Sequence, residues 1–467
     1  MSIVVTVAEE LKFLAPAINE LLAQMGQIMA RTSGQRGGHS VVYSQVECTI
    51  AESVARIERA ANQGVLQSLD VDAPGLLVRG KIYERVGRSD GVYYTMAGPC
   101  QVLRSVYQEA GQPDSPLVDP VSLRAGVVLE GWLPQTAQAM AHQVQMNTAR
   151  EAEKSARVTC RLPYSDSSFE RVTHAVGMLY QSNELDVEQK LIEAYQVPTE
   201  ATGVSVSLDR VSVPMEEPHP QDPEAITRVF RMAFCGTVTL HDRQGKALYT
   251  IRYGRMPQGD AIGLMEAMAS DVDVMRQQRP DLLVTTLADG AADVWNLLDS
   301  YINKKEMRTD VTRLVDIWHN IEKLGKAARV IHGEQRSDSI VAGWKMRLLN
   351  DSEAVCQILD EILAAGRREV RVGDARPVHE AITYLENHLE QMDYATARQQ
   401  VRPVGSGTVE ASCKSLFEIR MKRPGSRWKR GTGEDIVRLR ALALSDRWDA
   451  AMQLVLAPLR TAVQRAA

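Results

Sequence analysis

The sequence has little of what would mark a secreted, membrane-spanning or thiol-based metalloprotein. It has six cysteines in 467 residues: Cys48, Cys100, Cys160, Cys235, Cys356 and Cys413. None forms a C-x-x-C pair, so a structural zinc site is not expected from the thiols. Their wide, irregular spacing fits buried thiols in a reducing compartment better than a disulfide framework. No apolar run approaches the roughly 20 residues needed to span a bilayer. The N-terminus, MSIVVTVAEELKF, lacks a basic segment followed by a long apolar core, so no signal peptide is expected. Aromatics are sparse, with five phenylalanines, and the formal net charge of -5 excludes a uniformly basic coat. It does not exclude a local basic face, because binding follows the distribution of charge. Apolar content of 44% and charged content of 24% are ordinary for a globular chain, and the length allows several domains.

Hydrophobic periodicity divides the chain into six regions. Residues 1–70 read as helical. Leu11, Leu14, Ile18, Leu21, Leu22 and Met25 recur mostly at three and four. Pro16 kinks that helix or starts its main part. RTSGQRGGHS reads as a loop. Residues 71–115 read as a small antiparallel β region, with a hairpin centred on Ser89-Asp90-Gly91. Its Lys81, Arg85, Arg88 and Arg104 fit a solvated sheet face and a DNA-contact face equally. Residues 116–200 read as helical, with a kink at Leu133-Pro134. SSFERVTHAVGMLYQ and LDVEQKLIEAYQV fit either a helix-turn-helix or an ordinary pair of short helices.

Residues 201–336 change character. TGVSVSLD is a strand ending on Asp209, followed by a loop holding Pro214, Pro218, Pro220 and Pro223. VFRMAFCGTVTL and KALYTIRYGRM are strands joined at HDRQG. A helix starts near Asp260, and PDLLVTTLADG is a strand ending on Asp289. AADVWNLLDSYI is a helix, TRLVDIW a strand and WHNIEKLGKAARVI a helix. Hairpin strands followed by alternating helices and strands predict a mixed sheet covered by helices. Residues 337–400 read as an inserted all-helical block. Residues 401–467 return to the core with a further helix and a basic C-terminal part.

In open α/β sheets, ligands bind in the crevice beyond the strand ends. Asp209 and Asp289 are expected there. With Glu410 from a helix they make a hard oxygen set suited to Mg²⁺ or Mn²⁺. Each acid also has an ordinary structural reading: a strand-end polar residue for Asp209, and a turn or cap for Asp289. Asp316 and His319 fall nearby in the expected topology and read as a solvated aspartate and a packed histidine.

The stretch RPVGSGTVEASCKSLFEIRMKR bears on Glu410. With Gly407 as N-cap, Glu410 lies in the first turn, where the helix dipole favours an acid. A Glu410–Lys414 pair would add about 0.3–0.5 kcal/mol. Val409, Cys413, Leu416 and Phe417 form the stripe expected to pack on the sheet, with Glu410 pointing away. A P-loop is excluded, because Cys413 rather than glycine precedes Lys414-Ser415. GSGTV also lacks the spacing of a nucleophile elbow. Lys414, Arg420, Lys422, Arg423, Arg427, Lys429 and Arg430 form a basic run suited to phosphate contact, and Trp428 offers a stacking face for a base. A solvated basic helix with Trp428 packed beneath it is the alternative.

GSGTVEASCK followed by RMKRPGSRWKRGTGEDIVRLRAL resembles the C-terminal signature of ISKra-type insertion-sequence transposases. TLADGAADVWNLL resembles their second acidic motif, and LVDIWHNIEKLGKAA the strand and helix after it. VSVSLDRVSVP is similar to the first acidic motif, with Asp209-Arg210 where members often carry Asp-Gly. The resemblance implies a ribonuclease H-like core and a DDE triad of Asp209, Asp289 and Glu410 holding Mg²⁺ or Mn²⁺. It implies an enzyme that cleaves phosphodiesters at element ends and transfers the strand into target DNA. The implied setting is a homo-oligomer on double-stranded DNA, cytoplasmic and associated with the nucleoid. The zinc-ribbon-like N-terminus common in that family has no counterpart here. Two alternatives stay open: a domesticated DNA-binding protein without catalysis, and a metal-dependent nuclease without strand transfer.

Overall fold

The computed structural model describes residues 8–33, 42–303 and 311–466. The expected loop at RTSGQRGGHS lies mostly outside them. The chain divides into two compact units, Met1–Glu184 with Asp449–Ala467, and Leu185–Trp448. No described helix is long and apolar enough to cross a membrane.

In the first unit, helix α1 (Ala15–Ser33) begins one residue before Pro16, which therefore starts the helix rather than kinking it. Helix α2 (Tyr43–Ser68) leads into strands β1 (Gly75–Val78), β2 (Lys81–Thr95) and β3 (Gly98–Glu109). The β1–β2 turn is Arg79-Gly80, both at positive φ, as a tight two-residue hairpin requires. Strand Val463–Arg465 closes this four-stranded sheet beside β1.

The expected hairpin at Ser89-Asp90-Gly91 is not a turn. Asp90 faces Leu103 and Gly91 faces Val102 within the β2–β3 ladder, which turns at Thr95–Gly98 instead. Gly91 leaves room for the Arg104 side chain over it; a Cβ there would sit 2.7 Å from Arg104 Nε, so that side chain would have to shift. Arg104 reaches Asp119 at 2.6 Å, Lys81 pairs with Glu109 at 2.9 Å and Arg85 with Asp72 at 3.1 Å. The cations of this sheet are thus matched by acids, which favours the sheet-face reading over a DNA contact.

Helices α3 (Pro120–Ala125), α4 (Pro134–Met146), α5 (Ala149–Val158) and α6 (Asp166–Gln181) follow. Leu133 is the N-cap of α4 and Pro134 its first residue, so the expected kink is a helix start. Helix α7 (Glu184–Ala194) comes next. The division between the units falls at its first residues, between the two helices expected to pair.

The second unit is built on a five-stranded sheet. Its strands are β4 (Gly203–His219), β5 (Asp222–His241), β6 (Ala247–Arg255), β7 (Leu283–Ala288) and β8 (Thr312–Val315), in the order β6-β5-β4-β7-β8. The β4–β5 and β5–β6 pairs are antiparallel, and β4–β7 and β7–β8 parallel. Helix α8 (Ala261–Gln278) starts at Asp260, whose side chain accepts from Gly263 N at 2.8 Å. Helices α9 (Ala292–Leu298) and α10 (Ile317–His332) follow β7 and β8. Val204, Val206 and Leu208 of β4 share one continuous core with Leu264 and Met268 of α8 and Leu324 of α10.

Strand β4 does not end at Asp209. It continues through Pro214 and Pro218 to His219, paired with β5. Proline is tolerated there because β7 pairs with β4 only as far as Ser207, so the outer edge of β4 leaves the ladder beyond it.

Helices α11 (Glu334–Leu348), α12 (Ala354–Ala364), α13 (Pro377–His388) and α14 (Tyr394–Gln399) form the expected helical block. Ile358, Ile362, Ile382 and Leu385 merge into the sheet's core, so the block is packed on it rather than tethered. The chain then returns with α15 (Gly407–Ser412), a π-helical turn over Cys413–Glu418, α16 (Ile419–Met421) and α17 (Arg430–Leu444). Val409, Cys413, Leu416 and Phe417 are all buried, as the stripe predicts.

Candidate active site

Sheet register places three aspartates side by side. Gly203 faces Leu283 and Ser207 faces Leu287, so two residues further on Asp209 comes level with Asp289. Thr285 faces Thr312 and Ala288 faces Val315, so one residue further on Asp289 comes level with Asp316. In parallel strands, residues at one level share a face and an end of the sheet. Asp209, Asp289 and Asp316 therefore line the end of the parallel part where β7 and β8 both stop.

Each aspartate is fixed by its own local bonds. Asp209 Oδ1 accepts from Arg210 N at 2.6 Å, and Asp209 Oδ2 accepts from Cys413 Sγ at 3.5 Å. Burial pushes the Asp209 carboxyl above its usual range, and the negative charge of Asp289 raises it further; the Arg210 N–H opposes both. Arg210 turns its guanidinium to Asp293 at 2.6 Å, at the start of α9, so it does not pair with Asp209.

Asp289 Oδ1 accepts from Ala291 N at 3.0 Å, closing the turn into α9. Tyr384 of α13 donates its hydroxyl to Asp289 O at 3.0 Å. Gly290 between them has φ of +97°, and a Cβ there would lie 2.8 Å from the Tyr384 ring. The inserted helical block thus holds the Asp289 turn in place. Burial raises the Tyr384 hydroxyl, which keeps it a proton donor.

Asp316 inverts its expectation. It is fully buried rather than solvated. Its Oδ1 accepts from Trp318 N and His319 N, capping α10, and its Oδ2 accepts from Ser406 N. Ser406 is the N-cap of α15, one residue before the position expected. One carboxylate therefore joins the starts of two helices. His319 is correspondingly partly exposed rather than packed.

Glu410 lies in the first turn of α15, exposed and directed away from the apolar stripe. Its Oε1 lies 3.8 Å from His319 Nε2 and accepts from Ser406 Oγ at 3.3 Å. The Glu410–Lys414 pair is not formed among the described residues. Among those residues, Asp316, His319 and Glu410 have ligand atoms all within 4.8 Å of one another. Asp209, Asp289 and Glu410 do not form so compact a group. The link from Glu410 to Asp209 runs through Cys413, three residues along the same helical segment.

The basic run splits into two sets. Lys414, Arg427, Lys429 and Arg430 are exposed. Arg420 is only 5% exposed and lies over the Trp428 ring, 4.8 Å from its centroid, so it does not fit the expected DNA contact. Lys422 pairs with Glu418 at 2.8 Å, and Arg423 donates to Ile419 O at 3.3 Å. Trp428 is half-buried, with Nε1 donating to Met421 O at 3.2 Å. Its backbone joins β4: Trp428 N donates to Pro214 O at 3.1 Å, and Glu216 N to Trp428 O at 2.8 Å. The sequence showed the cations, but not this strand-like attachment that orients them.

No family model and no curated protein matches the chain. Among solved structures it is similar to the Drosophila P element transposase strand transfer complex. The identity is 10% and the TM-score 0.35, over 67% of this chain and 92% of that chain. Likeness at that level carries no inference about activity.

Proposed function

We propose that the Leu185–Trp448 unit is the ribonuclease H-like core of a DDE-type DNA transposase, in line with the ISKra-type motifs. The observation that carries this reading is the register that brings Asp209 level with Asp289, together with the Cys413 bond tying the Glu410 segment to Asp209. The strand order supports it: an antiparallel three-stranded meander whose first strand continues into two parallel ones.

The donor set fits a hard divalent cation. Asp209 and Asp289 are close enough for the charge of one to disfavour ionisation of the other, a repulsion that a cation relieves. Asp209 and Asp289 would hold Mg²⁺ or Mn²⁺ from the sheet, and Glu410 from the helix. A cation bound there would supply charge stabilisation at the scissile phosphodiester and a more acidic attacking hydroxyl. The chain's own residues position the reactants. Arg210 N and Cys413 fix Asp209, Tyr384 fixes the Asp289 turn, and Asp316 fixes the start of the Glu410 helix. Water attack on a phosphodiester at the element end would release a 3′-hydroxyl, which would then attack target DNA. Lys414, Arg427, Lys429 and Arg430 would hold the duplex by its phosphates.

One observation favours a second reading, a DNA-binding protein without catalysis: Glu410 groups with Asp316 and His319 rather than with both aspartates. The two are separated by incubating the full chain with Mg²⁺ and DNA bearing the ends that flank its gene. The transposase reading expects free 3′-hydroxyl ends and joined products from the wild type, both lost in Glu410→Gln and Asp289→Asn. Wild type and Glu410→Gln that bind DNA equally and yield no product would overturn it. Cleaved ends never joined to target would leave a nuclease.

A further inference from the structure

The chain has six tryptophans. Trp132, Trp295, Trp344 and Trp448 are buried, and Trp428 is half-buried. Trp318, the second residue of α10, is 54% exposed. A single apolar side chain at the surface needs no explanation by its exposure alone. The ring of Trp318, however, is held in one orientation, and it stands beside the candidate site.

Two neighbours hold the ring. Lys345 of α11 places its Nζ 3.8 Å from the ring centre, over one face. Gly405 lies against the Cδ1–Nε1 side of the indole, where a Cβ would sit 3.1 Å from Trp318 Cδ1. The exposed surface is therefore what these two leave open, the second face and the benzo edge. A ring fixed in this way loses little freedom when something stacks on it.

Its position follows from the backbone. Trp318 N donates to Asp316 Oδ1 at 2.6 Å, and Asp316 comes level with Asp289. Gly405 precedes Ser406, whose hydroxyl donates to Glu410 at 3.3 Å. The indole thus borders the carboxylates at a separation of about one or two nucleotides, at roughly 3.4 Å of rise for each. Lys323 follows His319, and Lys414 follows Glu410, by about one helical turn. None of Lys323, Lys345 and Lys414 forms an ion pair among the described residues. Glu322, one turn along α10 from Trp318, is already paired with Lys326 at 2.7 Å.

An aromatic face framed by unpaired ammonium groups suits a nucleotide, with the base on the ring and phosphates on the cations. A protein's apolar surface would have to desolvate those lysines to reach the ring, whereas phosphates neutralise them. We propose that the open face of Trp318 receives a base of the DNA strand, unstacked about one or two nucleotides from the phosphate at the carboxylates. This rests on the transposase reading above and adds to it a place where the duplex is opened. A strand drawn into the crevice beyond the sheet departs from the regular duplex, and the indole replaces a stacking neighbour that the base has lost. Every base has a π-face, so the contact carries little sequence preference.

The test follows binding of the full chain to DNA bearing the ends that flank its gene, by fluorescence anisotropy without divalent metal, so that no strand is cut. Trp318→Ala and Trp318→Leu should each weaken binding about tenfold, and Trp318→Phe by no more than about threefold. The slope of log affinity against log salt should stay the same in all three. Trp318→Leu fills most of the same space without an aromatic face, so it decides the matter if circular dichroism shows Trp318→Ala to be misfolded. In a second arm, 2-aminopurine, whose emission is quenched by stacking, replaces each nucleotide beside the cleaved end in turn. At one or two positions it should stay dim with the wild type and brighten with Trp318→Leu. Equal affinities with no position that brightens would overturn the proposal and leave the DNA reading standing. A loss of affinity with a flatter salt slope and no brightening would make the indole a prop for Lys345 and equally overturn it. A wild type that binds no DNA would overturn both readings together.

Discussion

Cys413 Sγ donates to Asp209 Oδ2 across 3.5 Å, joining the segment that carries Glu410 to the first strand of the sheet. A hydrogen bond with Cys235, then burial and the charge of Asp209, push the Cys413 thiol well above its ordinary range. It is therefore a fixed proton donor and not a reactive thiolate. Cys413→Ala would leave Asp209 one donor short. If the proposed catalytic reading holds, a net hydrogen bond of about 1 kcal/mol corresponds to a roughly fivefold loss of metal-dependent cleavage. Cys413→Ser should recover part of it. Single-turnover cleavage across a Mn²⁺ titration measures this, and equal rates for Ala and wild type would show the bond to be incidental.

Asp316 holds two helix starts with one carboxylate. Asp316→Ala removes the acceptor for three backbone N–H groups in a buried setting, an expected loss of about 2–4 kcal/mol in urea unfolding. Asp316→Asn keeps one carbonyl oxygen and should cost about half as much. The same order should appear in hydrogen exchange at Ser406 and His319, whose amides lose their partner. A loss of stability without faster exchange at those two amides would place the role of Asp316 elsewhere.

The fold was legible in the sequence where one period persisted and a turn residue closed it. The β5–β6 hairpin, β7, α10 and the apolar stripe of Val409, Cys413, Leu416 and Phe417 all stand where periodicity put them. It was illegible where a turn residue had another task. Gly91 makes room for Arg104 rather than turning the chain, and Pro214 and Pro218 sit in β4 beyond the end of its β7 pairing, still paired with β5. Within the site, Asp209 falls inside β4, which runs on to His219, whereas Asp289 just after β7 can be read from the alternation of strands and helices. The burial of Asp316 cannot, because its partner Ser406 lies ninety residues away in sequence. Exposure within the basic run is equally a tertiary matter: Arg420 and Arg427 look alike in sequence, and only one is buried.

Arg447 lies buried between Glu188 at 2.6 Å and Asp271 at 3.1 Å, and Asp271 also accepts from the Tyr253 hydroxyl. Two carboxylates thus share one guanidinium. Burial raises Asp271 to about 6, against the pull of Arg447. A carboxyl raised on folding stabilises the fold most below its unfolded value near 4, and that contribution is lost as pH rises through 6. Wild type should therefore lose stability relative to Asp271→Asn as pH rises from about 4 to 7. Arg447→Met should cost about 3–5 kcal/mol at pH 7, since it strands two buried acids. Thermal unfolding of the three proteins across that range checks both. A difference between wild type and Asp271→Asn that is flat with pH would mean that Asp271 does not titrate there.

The exposed and buried cations of the C-terminal run should separate in one experiment. Arg427→Ala, Lys429→Ala and Arg430→Ala together remove three side chains that face solvent. Each phosphate contact contributes about 0.9 to the slope of log affinity against log salt, so loss of three should flatten that slope by roughly 2.7. Stability should hold to within about 0.5 kcal/mol for each, because none is packed. Arg420→Ala should do the reverse. It strips the guanidinium from the buried face of Trp428, at an expected cost of about 1–2 kcal/mol, and leaves the salt slope where it was. A salt titration by fluorescence anisotropy, paired with urea unfolding of the same proteins, reads both effects. If Arg420→Ala alone flattened the slope, the DNA would have to reach a face that is closed here.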